Sequence, residues 1–135
     1  MGRPKPAASA AALPIPTEDQ EQMSIFYWAG MAQGAIPELA LLYAIPNGGK
    51  RAIATAKRMK ATGTKAGVPD ICLPVARGGY HGLYVELKRA RGGVVSDCQK
   101  SWIQALTKQG YLAVVCHGSV EAIRMISEYL EGERC

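Results

Sequence analysis

The sequence lacks any apolar run that approaches the roughly 20 residues needed to span a bilayer as a helix. Its four cysteines contain no C-x-x-C pair, so the paired spacing that is typical of a zinc site is missing. At this length and cysteine density a disulfide framework is also disfavoured, which suggests a reducing, cytoplasmic setting. Neither a P-loop nor a G-x-G-x-x-G sequence is present, so nothing favours an enzyme that holds a small phosphate ligand in a glycine-rich loop.

The composition suits a single, modestly basic domain. A chain of 135 residues with 48% hydrophobic and 20% charged residues is typical of one soluble globular unit. Sixteen lysines and arginines against eleven acidic residues give a formal charge of +5, which favours an anionic partner. We expect a disordered, proline- and alanine-rich tail over residues 1–16, a domain over residues 17–131 and a short tail over residues 132–135.

Helices and strands alternate in the predicted secondary structure. Thr17 is placed to cap a first helix with acidic residues in its first turn. An apolar run over 39–45, between two prolines, is predicted as a strand. Further strands are predicted over 71–75, 82–88 and 111–116, the last buried on both sides, and further helices over 50–61, after Ser96 and after Ser119. The chain is therefore predicted to be an α/β protein with a mixed sheet flanked by helices.

Helical spacing predicts which side chains two of these helices bury. The first helix is expected to bury Met23, Phe26, Tyr27 and Met31. The last helix, with Ser119 as its cap, is expected to bury Val120, Ile123, Ile126 and Leu130.

Residues 82–88 read Gly-Leu-Tyr-Val-Glu-Leu-Lys and place a charge pair on a core strand. Apolar and polar residues alternate with a period of two, so Glu86 and Lys88 share one face of the strand. A turn at 77–79 precedes the strand and predicts antiparallel pairing with residues 71–75. Burying such a pair brings little net stability, which favours a catalytic interpretation. A Glu-x-Lys pair on a solvated sheet surface is the alternative.

Asp70 begins the preceding strand and lies sixteen residues before Glu86 (86 − 70 = 16). If the two strands pair, the carboxylates meet at one edge of the sheet and repel each other. Mg²⁺ removes this conflict, because it accepts carboxylate oxygens, retains several waters and pairs with phosphate. Lys88, beside them, can polarise a water and offset charge that develops on phosphorus.

Several ordered motifs together resemble the PD-(D/E)XK nuclease signature and, more narrowly, the stand-alone VRR-NUC domains of phages and bacteria. The signature consists of Gly67-Val68-Pro69-Asp70 followed by residues 82–88. Four further motifs accompany it at similar spacing, namely Pro46-Asn47-Gly48-Gly49 with Arg51, Lys65-Ala66-Gly67, Gln99, and Gly110-Tyr111. The resemblance runs from about Thr17 to Leu130 and implies a restriction-endonuclease-like core, αβββαβ with an inserted helix and a C-terminal helix.

The resemblance implies a Mg²⁺-dependent endonuclease, with Mn²⁺ able to substitute, that hydrolyses phosphodiester bonds in DNA. It makes Asp70, Glu86 and the Leu87 backbone carbonyl metal ligands and Lys88 the catalytic lysine. It also places a first-helix glutamate at the metal, for which Glu18 matches best and Glu21 stays open. Gln99 matches a glutamine beside the site and also completes a capping box with Ser96. Stand-alone members of the family further imply a homodimer that acts on branched DNA such as Holliday junctions, in the cytoplasm of a bacterial host cell.

A basic segment precedes Asp70. Residues 50–65 contain six basic side chains and no acidic one, which predicts contacts to the phosphate backbone rather than to base edges. The predicted nucleic-acid-binding residues are Asn47, Gly48, Gly49, Lys50, Arg51, Lys57, Arg58 and Lys65, and Arg77, Arg89 and Arg91 extend this surface. A solvated basic helix is the plainer interpretation. The alternative functions are a non-catalytic DNA-binding module that retains the nuclease fold, and a nuclease that acts on other DNA structures or on RNA.

Overall fold

The computed structural model describes residues 13–46 and 53–134. Four α-helices, a 3₁₀ helix and four strands follow one another in these ranges. They are α1 (Glu18–Ala32), the 3₁₀ helix (Pro37–Leu41), β1 (Tyr43–Ala44), α2 (Ile53–Ala61), β2 (Ile71–Leu73), β3 (Leu83–Lys88), α3 (Asp97–Lys108), β4 (Leu112–His117) and α4 (Ser119–Leu130). None of the helices in the described ranges has the length and apolarity to cross a membrane.

The strands form one mixed sheet in the order β1-β2-β3-β4. β2 pairs antiparallel with β1 and with β3, and its register places Ile71 opposite Val85. β3 and β4 are parallel, and α3 makes the crossover between them. The mixed sheet flanked by helices and the antiparallel pairing of β2 with β3 are therefore confirmed.

The two faces of β3 differ in chemistry, as the period-two pattern predicts. Leu83, Val85 and Leu87 are at most 1% exposed and join the main hydrophobic core. α1 and α4 pack against each other and against this strand, so the core lies between the sheet and these two helices. Glu86 and Lys88 point to the opposite face, where α3 approaches.

α1 and α3 begin with capping boxes. The Thr17 side chain accepts a hydrogen bond from the Gln20 backbone N–H, and Oε1 of Gln20 accepts one from the Thr17 backbone N–H. Ser96 and Gln99 make the same reciprocal pair at the start of α3. Each box supplies partners for backbone groups that a helix end otherwise leaves unpaired.

The predicted buried stripe of α1 was wrong. Met23, Tyr27 and Met31 are 66%, 73% and 71% exposed, and Phe26 is half-buried. The buried residues are Glu21, Ile25 and Ala29, which follow the same spacing of four. Two stripes with the same spacing lie along this helix. The one that faces the core contains Glu21, whose carboxylate accepts a hydrogen bond from the backbone N–H of Ser119.

The first part of the predicted strand over 39–45, residues 39–41, belongs instead to the 3₁₀ helix. Pro37 opens it in a helical conformation, and the backbone N–H groups of Leu39 and Leu42 donate to the carbonyls three residues earlier. Only Tyr43–Ala44 pairs as a strand. β4 also differs from its prediction, since it runs from Leu112 to His117 and most of its residues are half-buried.

The start of α4 differs as well. Gly118, not Ser119, is the N-cap, and no side-chain cap bond is present there. Val120 is 82% exposed, whereas Ile126 is fully buried as predicted. Ile123 and Leu130 are half-buried against the core. The three described cysteines, Cys72, Cys98 and Cys116, are free thiols.

Candidate active site

Asp70 lies directly before β2 and reaches across to β3. Its Oδ2 accepts a hydrogen bond of 2.7 Å from the backbone N–H of Leu87. Its own carbonyl accepts a 2.7 Å hydrogen bond from the backbone N–H of Ile45, beyond the end of β1. Asp70 therefore extends the hydrogen bonding of β2 by one residue toward both neighbouring strands. Its carboxyl group, which bonds to β3, comes to lie beside Glu86.

Glu86 lies in the middle of the cluster and is 1% exposed. Its Oε1 accepts a 2.7 Å hydrogen bond from Nε2 of Gln99, and Nζ of Lys88 lies 3.4 Å from the same oxygen. Its Oε2 is buried and receives no hydrogen bond from any residue that the structure describes. A buried carboxylate oxygen without a donor is costly, because burial removes the water that would otherwise solvate it.

The electrostatics of Glu86 reflect this shortage of donors. Burial, and to a smaller degree the negative charge of Asp70, raise its pKa from the ordinary 4.5 to about 7, against the opposing effect of Lys88. The Lys88 side chain is itself only 8% exposed. Glu86 thus lies beside one buried ammonium and a second carboxyl group, that of Asp70, so the carboxyl groups of the cluster outnumber its ammonium.

Gln99 is oriented by the helix that carries it. Its Oε1 accepts from the Ser96 backbone N–H at 2.9 Å as part of the capping box. The amide nitrogen is consequently directed away from the cap and donates to Glu86. Gln99 thus completes the helix cap and also holds one oxygen of the central carboxylate.

Lys88 packs against the backbone of Gly93 and bonds to that of Gly118, and the sequence pattern indicates neither contact. A Cβ added to Gly93 would lie 2.8 Å from the Lys88 Cβ, so only glycine fits against the lysine stem. The Lys88 carbonyl also accepts a 2.9 Å hydrogen bond from the Gly118 backbone N–H. The Gly92-Gly93 pair is visible in the sequence, but a turn explains such a pair equally well.

The loop that leads to Asp70 is held by α3. Sγ of Cys98 and Nε1 of Trp102 both donate to the Ala66 carbonyl, at 3.2 and 3.1 Å. Gly67 has a φ of +87°, and a Cβ there would lie 2.5 Å from the Cys98 Sγ. One helix turn therefore positions Glu86 through Gln99 and positions Asp70 through this loop. Nothing in the sequence pattern indicates the Ala66 contacts, because they join residues about 30 positions apart.

These residues fit a hard divalent cation. Two carboxyl groups, one with a buried oxygen that has no donor within residues 13–46 and 53–134, are the kind of ligand that Mg²⁺ takes together with water. The Leu87 carbonyl shares the edge on which its N–H meets Asp70, because both groups of one strand residue point to the same neighbouring strand. In the described ranges no group of three or more His, Cys, Asp or Glu side chains is arranged to hold a metal. Asp70, Glu86 and the Leu87 carbonyl are thus the protein groups available for such an ion.

Comparison with known proteins agrees with this geometry. A sequence model of the VRR-NUC domain matches residues 15–120, well over half of the chain. The chain belongs to the VRR-NUC family. A solved structure described as a "VRR_NUC domain protein" is 31% identical in sequence, with a TM-score of 0.77 over 90% of this chain and 94% of that one. No curated protein matches the sequence. Family membership makes this a nuclease domain, and the similarity of fold confirms the predicted α/β core.

The first helix of this VRR-NUC domain holds its two candidate glutamates in different surroundings. Glu18 is exposed in the first turn of α1, beside a shallow groove that Arg89 also lines. Glu21 is 8% exposed, and its Oε2 accepts a hydrogen bond from the Ser119 backbone N–H at the start of α4. Neither glutamate joins Asp70 and Glu86 in a three-carboxylate group within the described ranges. Glu21 instead connects the first helix to the last.

The basic residues of the domain separate into exposed and buried sets. Lys57, Arg58 and Lys65 are exposed, and α2 has no buried residue. Asn47, Gly48, Gly49, Lys50 and Arg51, which were also predicted to contact nucleic acid, lie outside the described residues. Arg89 and Arg91 are exposed, and the Arg89 guanidinium donates to the Ile15 carbonyl at 3.2 Å.

Arg77 does not belong to the exposed surface, contrary to prediction. It is 9% exposed and lies 3.8 Å from Glu38, and its side chain donates to the backbone carbonyls of Ala76 and Leu130. The loop that carries it also receives the C-terminal segment, since Gly78 donates to the Glu133 carbonyl at 2.7 Å. Arg77 therefore connects elements of the fold.

Proposed function

We propose that this protein is a Mg²⁺-dependent endonuclease that hydrolyses phosphodiester bonds in branched DNA and works as a homodimer, in the manner of a Holliday-junction resolvase. The observation that carries the proposal is the cluster of Asp70, Glu86 and Lys88, in which one buried oxygen of Glu86 has no donor among the residues that the structure describes. A domain that only bound DNA would gain nothing from burying this arrangement, because removing charges from water costs free energy.

Each residue of the cluster has a role that its contacts support. Asp70, Glu86 and the Leu87 carbonyl would hold Mg²⁺, for which Mn²⁺ can substitute. When bound, the ion would neutralise the carboxylates and withdraw charge from the scissile phosphate. Lys88 is the cation that the cluster itself supplies, placed to hydrogen-bond the attacking water and to offset charge that develops on phosphorus. Gln99 donates to one oxygen of Glu86, which would leave the other oxygen for the ion.

DNA is the proposed substrate, and α2 is the proposed contact to its backbone. Lys57, Arg58 and Lys60 are exposed on a helix that buries none of its residues. Their side chains are therefore free to follow a phosphate backbone without disturbing the core. Such contacts position DNA without reading its sequence, which suits recognition by shape.

The homodimer and the branched substrate belong together in this proposal. Two identical sites related by a twofold axis suit the paired cuts that resolve a four-way junction. The exposed stripe of α1, formed by Met23, Tyr27 and Met31, offers a surface for a second copy. Residues 22–37 contain no charged side chain in a chain of net charge +5, so two copies can meet there without electrostatic repulsion.

Incubation of the protein with four-way, flap, linear and single-stranded DNA tests the activity. Cleavage that requires Mg²⁺ or Mn²⁺, stops in EDTA and favours branched DNA is the expected result. RNA of the same shapes should be cut poorly. Binding without cleavage of any substrate at any metal concentration would leave only the DNA-binding alternative.

Sedimentation velocity at micromolar concentration tests the dimer separately. Tyr27→Glu should convert a dimer to a monomer, because it places a charge in the centre of the stripe. Val120→Glu, which changes a side chain of similar exposure on α4, should leave the dimer intact. A wild-type monomer under these conditions would remove the homodimer from the proposal.

A further inference from the structure

A groove lies beside the loop that leads to Asp70 and is not used by the chemistry described above. Its apolar part is formed by Ile45, Pro46, Val68 and Trp102, and Thr64 and Lys65 lie on its rim. We call it the Trp102 groove. No acidic side chain belongs to the part of its lining that the structure describes.

The groove is fixed relative to the metal-binding carboxylates. Its Ile45 wall is bonded to the Asp70 carbonyl at 2.7 Å, and its Trp102 wall is bonded to the Ala66 carbonyl at 3.1 Å. Val68 lies between these points on the loop that carries Asp70. A group that occupies the groove is therefore held beside the loop that carries Asp70, because both walls of the groove are hydrogen-bonded to that loop.

The chemistry of the groove matches a nucleotide. Trp102 is half-buried and its indole N–H already has a partner, so the ring surface is what it presents to a ligand. A ring surface accepts any base by stacking, without distinguishing one base from another. Lys65 on the rim supplies a cation for the phosphate that accompanies the base. The residues from 53 to 69 contain four basic side chains and no acidic one, so the approach to the groove is also cationic.

We propose that the Trp102 groove receives one unstacked nucleotide of the DNA substrate, with its base against Trp102 and its phosphate beside Lys65. This inference rests on the proposed function, since it takes DNA as the substrate. A base inside a regular duplex must be unstacked before it can enter, and unstacking costs free energy. A base at a branch point, a flap or a gap is already unpaired. The groove thereby supplies a physical reason for preferring branched DNA.

Binding in EDTA tests the inference without any dependence on catalysis. The DNA carries one unpaired nucleotide at successive positions around a branch, and each is compared with the same DNA that has an abasic site there. At one position the abasic change should weaken binding by about tenfold, the loss expected for one stacked base. Trp102→Ala should weaken binding of the intact DNA to a similar degree, and the two changes together should cost no more than either alone.

Matched variants separate stacking from the contact that Trp102 makes with Ala66. Trp102→Phe keeps an aromatic ring without the indole N–H and should retain most of the preference for the intact base. Trp28→Phe changes the other tryptophan and should have no effect on it. Lys65→Ala should weaken binding of the branched DNA several-fold more than Lys108→Ala, which changes an exposed lysine at the end of α3.

Three outcomes would overturn the inference. If the wild-type protein bound abasic and intact branches equally at every position, no base would enter the groove. If the losses from Trp102→Ala and from the abasic site were simply additive, the base would contact another part of the protein. The wild-type comparison decides even if Trp102→Ala does not fold. A protein that bound no DNA would overturn the proposed function as well, whereas DNA binding without base dependence would overturn the groove alone.

Discussion

β3 and α2 both carry side chains to which the proposed function gives a role, yet they are built in opposite ways. Every residue of β3 except Tyr84 is buried, and its charged side chains have defined partners in Gln99 and in each other. α2 buries none of its residues, and its cations extend into solvent. In the proposed function this difference separates two tasks. Chemistry needs groups that are held in place before the substrate arrives, whereas backbone binding needs charges that can adapt to the shape of the DNA.

The largest expected effect comes from removing the ammonium of β3. Lys88→Ala should lower the cleavage rate by about 10²–10³-fold, the range seen when one preorganised electrostatic contact is lost. DNA affinity in EDTA should change little, because the Lys88 side chain is only 8% exposed. Lys108→Ala removes an exposed lysine and should cleave normally. Rapid cleavage by the Lys88→Ala protein would show that the buried region does not supply the catalytic cation.

The second-largest effect is expected from a change of pH, which should show how much the burial of Glu86 lowers the free energy of unfolding. Below its ordinary pKa of 4.5, Glu86 is protonated in both the folded and the unfolded chain. As the pH rises toward the folded pKa of about 7, the unfolded chain loses the proton and the folded one keeps it, so the free energy of unfolding falls. The full penalty, about 3 kcal/mol for the metal-free protein, is reached above that pH.

Glu86→Gln should remove this pH dependence. Urea unfolding in EDTA should show the variant gaining about 3 kcal/mol relative to the wild type between about pH 4.5 and pH 8. Glu128→Gln, which changes an exposed carboxylate of α4, serves as the control and should follow the wild type. Parallel pH profiles for Glu86→Gln and the wild type would contradict the desolvation argument.

A smaller effect is expected where the Asp70 loop meets α3. Gly67→Ala should destabilise the protein by about 2 kcal/mol more than Gly63→Ala, in the range for overpacking a close contact. Both glycines have positive φ, +87° and +102°, so both substitutions strain the backbone. Only the Cβ at Gly67 would meet Cys98, whereas the one at Gly63 would have nothing within 4 Å. Equal losses in thermal unfolding would mean that the loop moves away from α3 at no cost.

The smallest effect should come from the exposed helix. Lys57→Ala with Arg58→Ala should reduce the slope of log affinity against log salt by about 2, since each lost phosphate contact contributes about 0.9. Cleavage at saturating DNA should be unchanged. Lys108→Ala with Arg124→Ala removes the same charge from exposed positions on α3 and α4 and should leave the slope closer to that of the wild type. Equal slopes for the two double variants would show that Lys57 and Arg58 make no contact with the DNA backbone.

The alternation of β3 and the caps of α1 and α3 were predictable from the sequence, because they depend on neighbouring residues. Period-two alternation placed Glu86 and Lys88 on one face, and the Ser96 and Gln99 pair marked the start of α3. The antiparallel pairing that brings Asp70 to Leu87 joins two strands that follow each other in the chain, with residues 74–82 between them. Each of these features depends on residues that lie within about twenty positions of one another in the chain.

The errors arose where distant contacts decide between local alternatives. α1 has two stripes at the same spacing, and the sequence favoured the one with large apolar side chains over the one that begins with Glu21. The partner of Glu21 is a backbone N–H of Ser119, 98 residues further on, and no periodicity can reveal it. The double contact to the Ala66 carbonyl was missed for the same reason, since its donors lie on another element.

The bond between Glu21 and Ser119 also has a consequence for synthesis on the ribosome. α1 emerges first, but its buried carboxylate finds its partner only after nearly the whole domain has left the exit tunnel. Until then the edge of β3 that later pairs with β4 stays open, and an open strand edge is a site for unwanted association. A nascent chain should therefore acquire protease resistance in one late step, when α4 is released, and not gradually from its first helix onward.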